Sequence, residues 1–405
     1  MPEAVIVATA RSPIGRAFKG SLKDIRPDDL TVQMVQAAMA KVPQLDPAQI
    51  DDLLLGCGLP GGEQGYNMAR VVTTLLGWEV PGATITRYCS SSLQTSRMAF
   101  HAIKAGEADV IISAGVEMVS RFAKGSSDGL PDTKNPLFAD AEARNAKAAE
   151  GGAPVWHDPR EDGELPDIYV AMGQTAENVA GLRGVTRQAQ DEWGVLSQNR
   201  AEKAIADGFW AKDITPATMP DGTVVSQDDG PRAGTTYEKV SQLKPVFRPD
   251  GTVTAGNACP LNDGAAAVVI MSDTKAAELG LTPLARIVST GVTGLSPEIM
   301  GLGPVGASRK ALALAGLTID DIDLVEINEA FAAQVLPSAE DLGIDHDKLN
   351  VNGGAIAVGH PFGMTGARIT STLINSLKHH DKQFGLETMC VGGGQGMAMV
   401  IERLS

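Results

Sequence analysis

The sequence predicts an α/β fold: two related βαβ-type halves packed face to face as a layered core, with a long irregular segment inserted in the first half. Three observations point to it. Short continuous apolar runs, such as residues 4–9 and 108–115, suit strands buried on both faces and alternate with helical stretches. The order of elements in the first third recurs in the last third. Between about residues 119 and 243 the pattern lapses into a polar stretch rich in Asp, Gly, Pro and Lys. An excursion of that length commonly carries function, often as a substrate lid.

Residues 4–9 form the first strand, ended by Arg11-Ser-Pro-Ile-Gly15. A helix follows Pro27, with Asp28 and Asp29 in its first turn and Leu30, Val32, Met34, Val35 and Ala38 as its apolar positions. Residues 45–55 read as a helical turn and a strand, and residues 67–76 as a helix. Residues 84–89 read as a strand that stops at Cys89. Ser90, Ser91 and Ser92 offer capping side chains for a helix running to about Lys104. Residues 108–115 are a buried strand. Inside the inserted segment, residues 174–182 and 187–207 read as helices. The sheet pattern resumes with the Gly/Asn loop and strand of residues 254–270.

The last third repeats the first. Residues 285–290 echo 4–9, and the helix over 306–314 echoes the one after Pro27. Residues 317–327 echo 45–55, with Ile322 over Ile50. Residues 349–355 take the place of the Cys89 strand, and 387–392 that of 108–115. Equivalent loops of two such halves converge on one edge, where ligands bind in sheets of this kind.

The chain has 405 residues, enough for two or three domains with large cores. Its 45 glycines and 4% aromatics suit elements that approach closely. A net charge of −15 argues against nucleic acid or an anionic membrane as partner, though a local basic patch can still hold an anionic ligand. No apolar run is long enough to span a bilayer. The N-terminus lacks the features of a signal or transit peptide, and Glu-Arg-Leu-Ser405 is not a peroxisomal address. A cytoplasmic location is expected. The four cysteines, Cys57, Cys89, Cys259 and Cys390, lie far apart without a CxxC pair, so neither zinc nor disulfides are expected.

Cys89 falls at a helix N-terminus, where unpaired N–H groups favour a thiolate; a buried, inert thiol is the ordinary alternative. Asn328-Glu-Ala-Phe331 follows a strand, His360 lies among glycines, and Cys390-Val-Gly-Gly-Gly sets a second cysteine before a glycine run. If the halves are duplicates, all three loops lie near Cys89. A nucleophilic cysteine, a histidine base, a second cysteine and glycine N–H donors are the parts that acyl transfer needs.

Asn-Glu-Ala-Phe at 328–331, Asn-Gly-Gly-Ala-Ile-Ala-Val-Gly-His-Pro at 352–361, Cys390-Val-Gly-Gly-Gly-Gln-Gly396 and the 254–267 loop resemble the signatures of the thiolase family, in the right order, over residues 4–403. The resemblance implies the thiolase fold, two duplicated βαβαβ-type halves in a layered αβαβα core. The N-terminal half would comprise residues 1–118 and 244–273, the loop domain 119–243 and the C-terminal half 274–405. It implies acyl-CoA and CoA as substrates, no bound cofactor or metal, and a homotetramer or homodimer. A hydratase/dehydrogenase partner of beta-oxidation is compatible with it.

By the resemblance Cys89 is the acyl-accepting nucleophile, His360 its base and Cys390 the acid/base at the acetyl-CoA α-carbon. Asn328 holds a water that forms one oxyanion hole with His360. The N–H groups of Cys89 and Gly392 form the second. Arg232, Met172, Phe247, Cys259, Met300 and Phe331 fall at positions lining the CoA and acyl pocket. Three departures stand out. Ser92 replaces a glycine common after the nucleophile. Cys259, followed by Pro260, replaces a serine that commonly contacts the pantetheine. Ala171 precedes Met172 where short-chain biosynthetic members carry histidine. The implied activity is that of a 3-ketoacyl-CoA thiolase. Acetyl-CoA C-acetyltransferase is the alternative, and a ketoacyl synthase or non-catalytic lipid carrier the more distant ones.

Overall fold

The computed structural model describes residues 1–124 and 132–405. Its first half contains strands β1 (Ala4–Arg11), β2 (Asp52–Cys57), β3 (Gly82–Ile85), β4 (Val110–Met118) and β5 (Asn262–Ser272). Its second half contains β6 (Ala285–Gly294), β7 (Leu324–Ile327), β8 (Phe384–Val391) and β9 (Gln395–Arg403). They run in the order β7-β8-β9-β6-β1-β5-β4-β2-β3. The pairings repeat: β2 with β4 and β7 with β8 are parallel, while β4 with β5 and β8 with β9 are antiparallel. β1 against β5 and β6 against β9 are likewise antiparallel. The two sets join where Val5 and Ile6 pair with Arg286 and Ala285. The counterpart of β3 shrinks to a single parallel bridge between Val325 and Leu349.

Side-chain alternation sorts these strands into layers. Along β5, Ala265, Ala267, Val269 and Met271 face one core with β1 and helices α1 (Pro27–Met39) and α2 (Met68–Leu75). Ala266, Val268 and Ile270 face a central core instead. That core also takes Met397, Met399 and Ile401 of β9, with helices α3 (Ser91–Ala105) and α8 (Thr365–His379). Ala398 and Val400 of β9 face a third core, under α6 (Gly303–Ala315) and α7 (Ala332–Leu342). The result is five layers, αβαβα. Each fully buried Val, Leu or Ile contributes about 1.5–3 kcal/mol, so the two-faced strands anchor everything else.

The central helices approach closely because glycines permit it. A Cβ on Gly56 would lie 2.3 Å from Ser92 N, and one on Gly366 would lie 2.2 Å from Leu93 N. Between β4 and β5 lie α4 (Met172–Arg183) and α5 (Arg187–Ala206), close to their expected bounds. The same segment also holds helix Ala139–Ala149, which its polarity had concealed.

Candidate active site

β3 ends at Ile85, short of the expected Cys89. The chain turns through a 3-10 segment, Tyr88–Ser90, with Tyr88 at φ +43° in the left-handed region. Ser90 makes no side-chain cap. Ser91 Oγ instead accepts from Arg87 N at 2.9 Å and donates to the Tyr88 carbonyl at 2.7 Å, locking the turn that presents Cys89.

The expectation of a thiolate favoured by the helix N-terminus is corrected. Cys89 is 8% exposed. Burial pushes its thiol up to about 11, against the opposing pull of the Gly392 N–H. Glu117 adds to the rise, and the N–H of Cys89 itself opposes it. Desolvation of the anion outweighs the two N–H donors, so the resting group is a thiol and needs a base. Cys390 is fully buried, and burial together with Cys89 and Cys259 raises its thiol well above the usual range. Cys259 is raised by burial and then by Cys89. Cys259 and Cys390, distant in sequence from Cys89, thus lie near enough to it for an anion there to disfavour a second one. Cys57 is 0% exposed and lies beside Glu117 and Gln64.

His360 is 1% exposed. Its backbone N donates to Asn262 Oδ1 at 2.9 Å, and Asn262 Nδ2 donates to the Gly15 carbonyl. Nε2 is 3.3 Å from Asn328 Nδ2, and Nδ1 is 2.6 Å from Thr365 Oγ1. Burial, with the Arg368 guanidinium adding, lowers the imidazole to about 3, so it is neutral at rest. The ring packs edge-on to Phe362 at 5.2 Å, and Phe362 lines a cavity together with Cys89. Asn328 is buried at the end of β7, its N donating to the Thr388 carbonyl, and its Oδ1 has no protein partner.

Two cavities flank the cysteines. The first, about 340 Å³, is lined by Cys89, Gly392, Leu59, Ile168, Val170 and Met172 among others, and is mainly apolar. The second, about 450 Å³, carries Arg16, Arg232 and Lys239 with Phe247 and Cys259. Three cations on one opening suit an anionic ligand despite the acidic chain. Met172 lines the first cavity and Phe247 the second, and a Cβ on Gly173, the residue after Met172, would strike the Phe247 ring at 2.2 Å. Met300 and Phe331 line neither cavity. They are buried with Cys390 in an apolar cluster bordered by Met172, Phe247 and Cys259, and Phe331 meets Phe247 edge-on at 6.1 Å.

Several supporting residues escaped sequence reasoning. Glu117, fully buried, accepts from Gly58 N, Leu59 N, Gln64 Nε2 and Gly363 N, joining the loop after β2 to the loop after His360. Glu329 accepts from Trp193, Ser197, Asn350 and Ile356 N, tying the Asn328 loop to α5. A buried carboxylate is costly unless fully hydrogen-bonded, so an acidic residue within an apolar strand is the available signal. Glu117 in Ser-Ala-Gly-Val-Glu is one.

Fold and site define a class: a five-layer α/β protein of two repeating halves, with Cys89 and Cys259 lining two cavities and a buried His360 packed against Phe362 of the first. Residues 4–274 match the family described as thiolase, N-terminal domain, and residues 281–403 that described as thiolase, C-terminal domain. The chain belongs to the thiolase family. It is 43% identical to a 3-ketoacyl-CoA thiolase of Bacillus subtilis, covering 99% of this chain and 100% of that one. It is 44% identical to an acetyl-CoA acetyltransferase of Escherichia coli over all of both chains. The dimeric peroxisomal thiolase of Saccharomyces cerevisiae superposes with a TM-score of 0.87 at 35% identity, covering 99% of this chain and 97% of that one.

Proposed function

We propose that this protein is a 3-ketoacyl-CoA thiolase of fatty acid beta-oxidation, cleaving a 3-ketoacyl-CoA with CoA to acetyl-CoA and a shortened acyl-CoA. The observation that carries the reading is the cavity lined by Cys89 and Gly392 together, with Cys390 two residues before Gly392 on β8. His360 takes the Cys89 proton and the thiolate attacks the 3-keto carbon. The oxyanion draws on Cys89 N–H and Gly392 N–H, a contribution of several kcal/mol. The C2–C3 bond breaks, its electron pair stays on C2, and the Cys390 thiol protonates that carbon. The Cys390 thiolate then deprotonates CoA, whose sulfur attacks the Cys89 thioester. Acyl-CoA leaves and His360 returns the proton. In the cleavage step a water held by Asn328, together with the protonated His360, faces the thioester oxygen of the departing acetyl-CoA enolate. The sequence is ping-pong.

The CoA moiety occupies the cavity with Arg16, Arg232 and Lys239, and the acyl tail the one lined by Leu59, Ile168 and Met172. Residues 119–243 serve as the loop domain between them. A homodimer is part of this reading, since the yeast relative is dimeric, and the four-residue edge strand β3 is the sheet edge we assign to its self-pairing. A cytoplasmic location accords with the absence, among the described residues, of a helix long and apolar enough to cross a membrane.

The second reading, acetyl-CoA C-acetyltransferase, is favoured by the near-equal identity to the Escherichia coli relative. Acetoacetyl-CoA and a medium-chain 3-ketoacyl-CoA, each supplied with CoA, separate the two by kcat/KM. Failure to form an acyl-enzyme on Cys89 with either would overturn both.

A further inference from the structure

We infer that Thr365 is a positioning residue that holds His360 as the Nδ1–H tautomer, leaving Nε2 as the proton acceptor. This deepens the reading above and rests on it for its catalytic meaning. The argument is one of counting hydrogens. Thr365 Oγ1 lies 2.6 Å from His360 Nδ1 and 2.6 Å from the Pro361 carbonyl oxygen. A hydroxyl has a single hydrogen, and a carbonyl can only accept. Two oxygens 2.6 Å apart need a hydrogen between them, so the Thr365 hydrogen points at Pro361. The hydroxyl then faces Nδ1 with a lone pair, and Nδ1 must carry the proton.

The other side of the ring agrees. Asn328 Nδ2, a donor, meets Nε2 at 3.3 Å. The Nδ1–H tautomer satisfies both ring nitrogens and the Pro361 carbonyl at once. The opposite tautomer would set two oxygen acceptors against each other at 2.6 Å. Thr365 is 0% exposed and His360 1%, so bulk solvent cannot take over the role. Thr365 stands at the first position of α8, where its hydroxyl reaches back four residues to Pro361. The helix start and the histidine are therefore fixed by one oxygen. A base with its lone pair on the wrong nitrogen has the proton where it should receive one.

The test has two arms. In the first, protein labelled with 15N-histidine is examined at neutral pH, with the His360 signals assigned by their loss in His360→Asn. We expect a protonated Nδ1 and an unprotonated Nε2; a protonated Nε2 in the wild type overturns the inference without any variant at position 365. In the second, single-turnover acylation of Cys89 is measured in Thr365→Val and Thr365→Ser. Losing one buried acceptor should slow Thr365→Val by about tenfold to a hundredfold. KM should change much less, and the tautomer signals should mix. Thr365→Ser should restore both the rate and the spectrum. Wild-type behaviour of Thr365→Val, or equal damage in Thr365→Ser, would overturn the inference. The spectrum is read without substrate, so a wild type that fails to acylate would count against the proposed function and leave the tautomer decided.

Discussion

Ser92 Oγ accepts a hydrogen bond from Ala367 N at 2.9 Å, joining the first turn of the helix after Cys89 to the first turn of the helix after His360. Ala367 N is one of the helix-start N–H groups that has no partner within its own helix. Ser92 thus does for the second half what a capping residue does locally, and replaces a glycine common in the family. Ser92→Ala leaves that N–H buried and unpaired, at a cost of about 1–3 kcal/mol. Urea unfolding should show a lower midpoint with an unchanged slope. A midpoint equal to the wild type would mean that the bond contributes nothing.

The state of Cys89 sets a second expectation. With the thiol near 11 and the imidazole near 3, the resting pair is uncharged at neutral pH. Iodoacetamide, which reacts with thiolates, should label Cys89 at a rate that climbs with pH through the alkaline range and shows no plateau near neutrality. Cys89 should still label before Cys57, which is 0% exposed, and labelling should abolish thiolysis. Cleavage and mass analysis give the order. A rate that levels off below about pH 7 would show a preformed ion pair and contradict the burial argument.

Cys390→Ala separates the two cysteines. Cys390 lines neither cavity and is packed in an apolar cluster, which leaves less room for a bulky acyl group than at Cys89 and accords with the proton-transfer role proposed for it. The variant should still acylate Cys89, slowly, yet lose exchange of acetyl-CoA α-protons with solvent. General acid–base loss is worth about 10²–10⁴-fold. Deuterium exchange at the wild-type rate would overturn the division of labour.

The duplicated strands were legible because burial on both faces writes itself as continuous apolar runs. Residues 4–9, 108–115 and 285–290 are examples; the structure extends the first to Arg11 and the third to Gly294, and shifts the second to Val110–Met118. Helix α8, which begins five residues after His360, was not. Polarity there does not mark exposure: Thr365, Thr370, Ser371, Thr372 and Ser376 are all buried beside Ile369 and Leu373. A helix enclosed on every side has no polar stripe to betray its period. The site motifs were legible as types and order, but burial was not. A cysteine before a helix reads as activated, and only packing reveals that its environment penalises the anion.

Glu387 and Glu326 face each other in register on β8 and β7, both fully buried. Glu387 Oε1 pairs with Thr370 Oγ1 at 2.8 Å, while its Oε2 has no partner. Burial raises both carboxyls to about 8, with Thr370 and Arg368 opposing at Glu387 and Arg368 at Glu326. The folded state holds protons that the unfolded chain releases near pH 4.3, so stability is full below that value and falls as pH rises toward about 8. Glu387→Gln removes one ionisation and should gain on the wild type between about pH 5 and pH 8, by on the order of 1–2 kcal/mol. Denaturant curves at both pH values check it. An equal difference at the two would show that the pair does not titrate.

Ala171 stands where short-chain biosynthetic relatives carry histidine, and a methyl there in place of an imidazole would widen an acyl pocket that it lined. In the structure it is an exposed N-cap of α4, and its neighbours Val170 and Met172 line the cavity instead. Room for a tail is therefore set by Leu59, Ile168, Val170, Met172 and Phe362, an apolar lining that begins at Cys89. Each methylene that enters gains about 0.8 kcal/mol, or about fourfold in kcat/KM. Thiolysis should thus improve from acetoacetyl-CoA toward medium-chain 3-ketoacyl-CoA substrates until the cavity is full. Ile168 stands across from the glycine run, 3.4 Å from where a Cβ on Gly393 would lie, so Ile168→Trp fills the space beside Cys89. That variant should keep activity on acetoacetyl-CoA and lose most of the gain with length. Ala171→His should leave the profile unchanged. A chain-length series that peaks at acetoacetyl-CoA in the wild type would favour the acetyl-CoA C-acetyltransferase reading, and a profile moved by Ala171→His but not by Ile168→Trp would mean that the tail runs elsewhere.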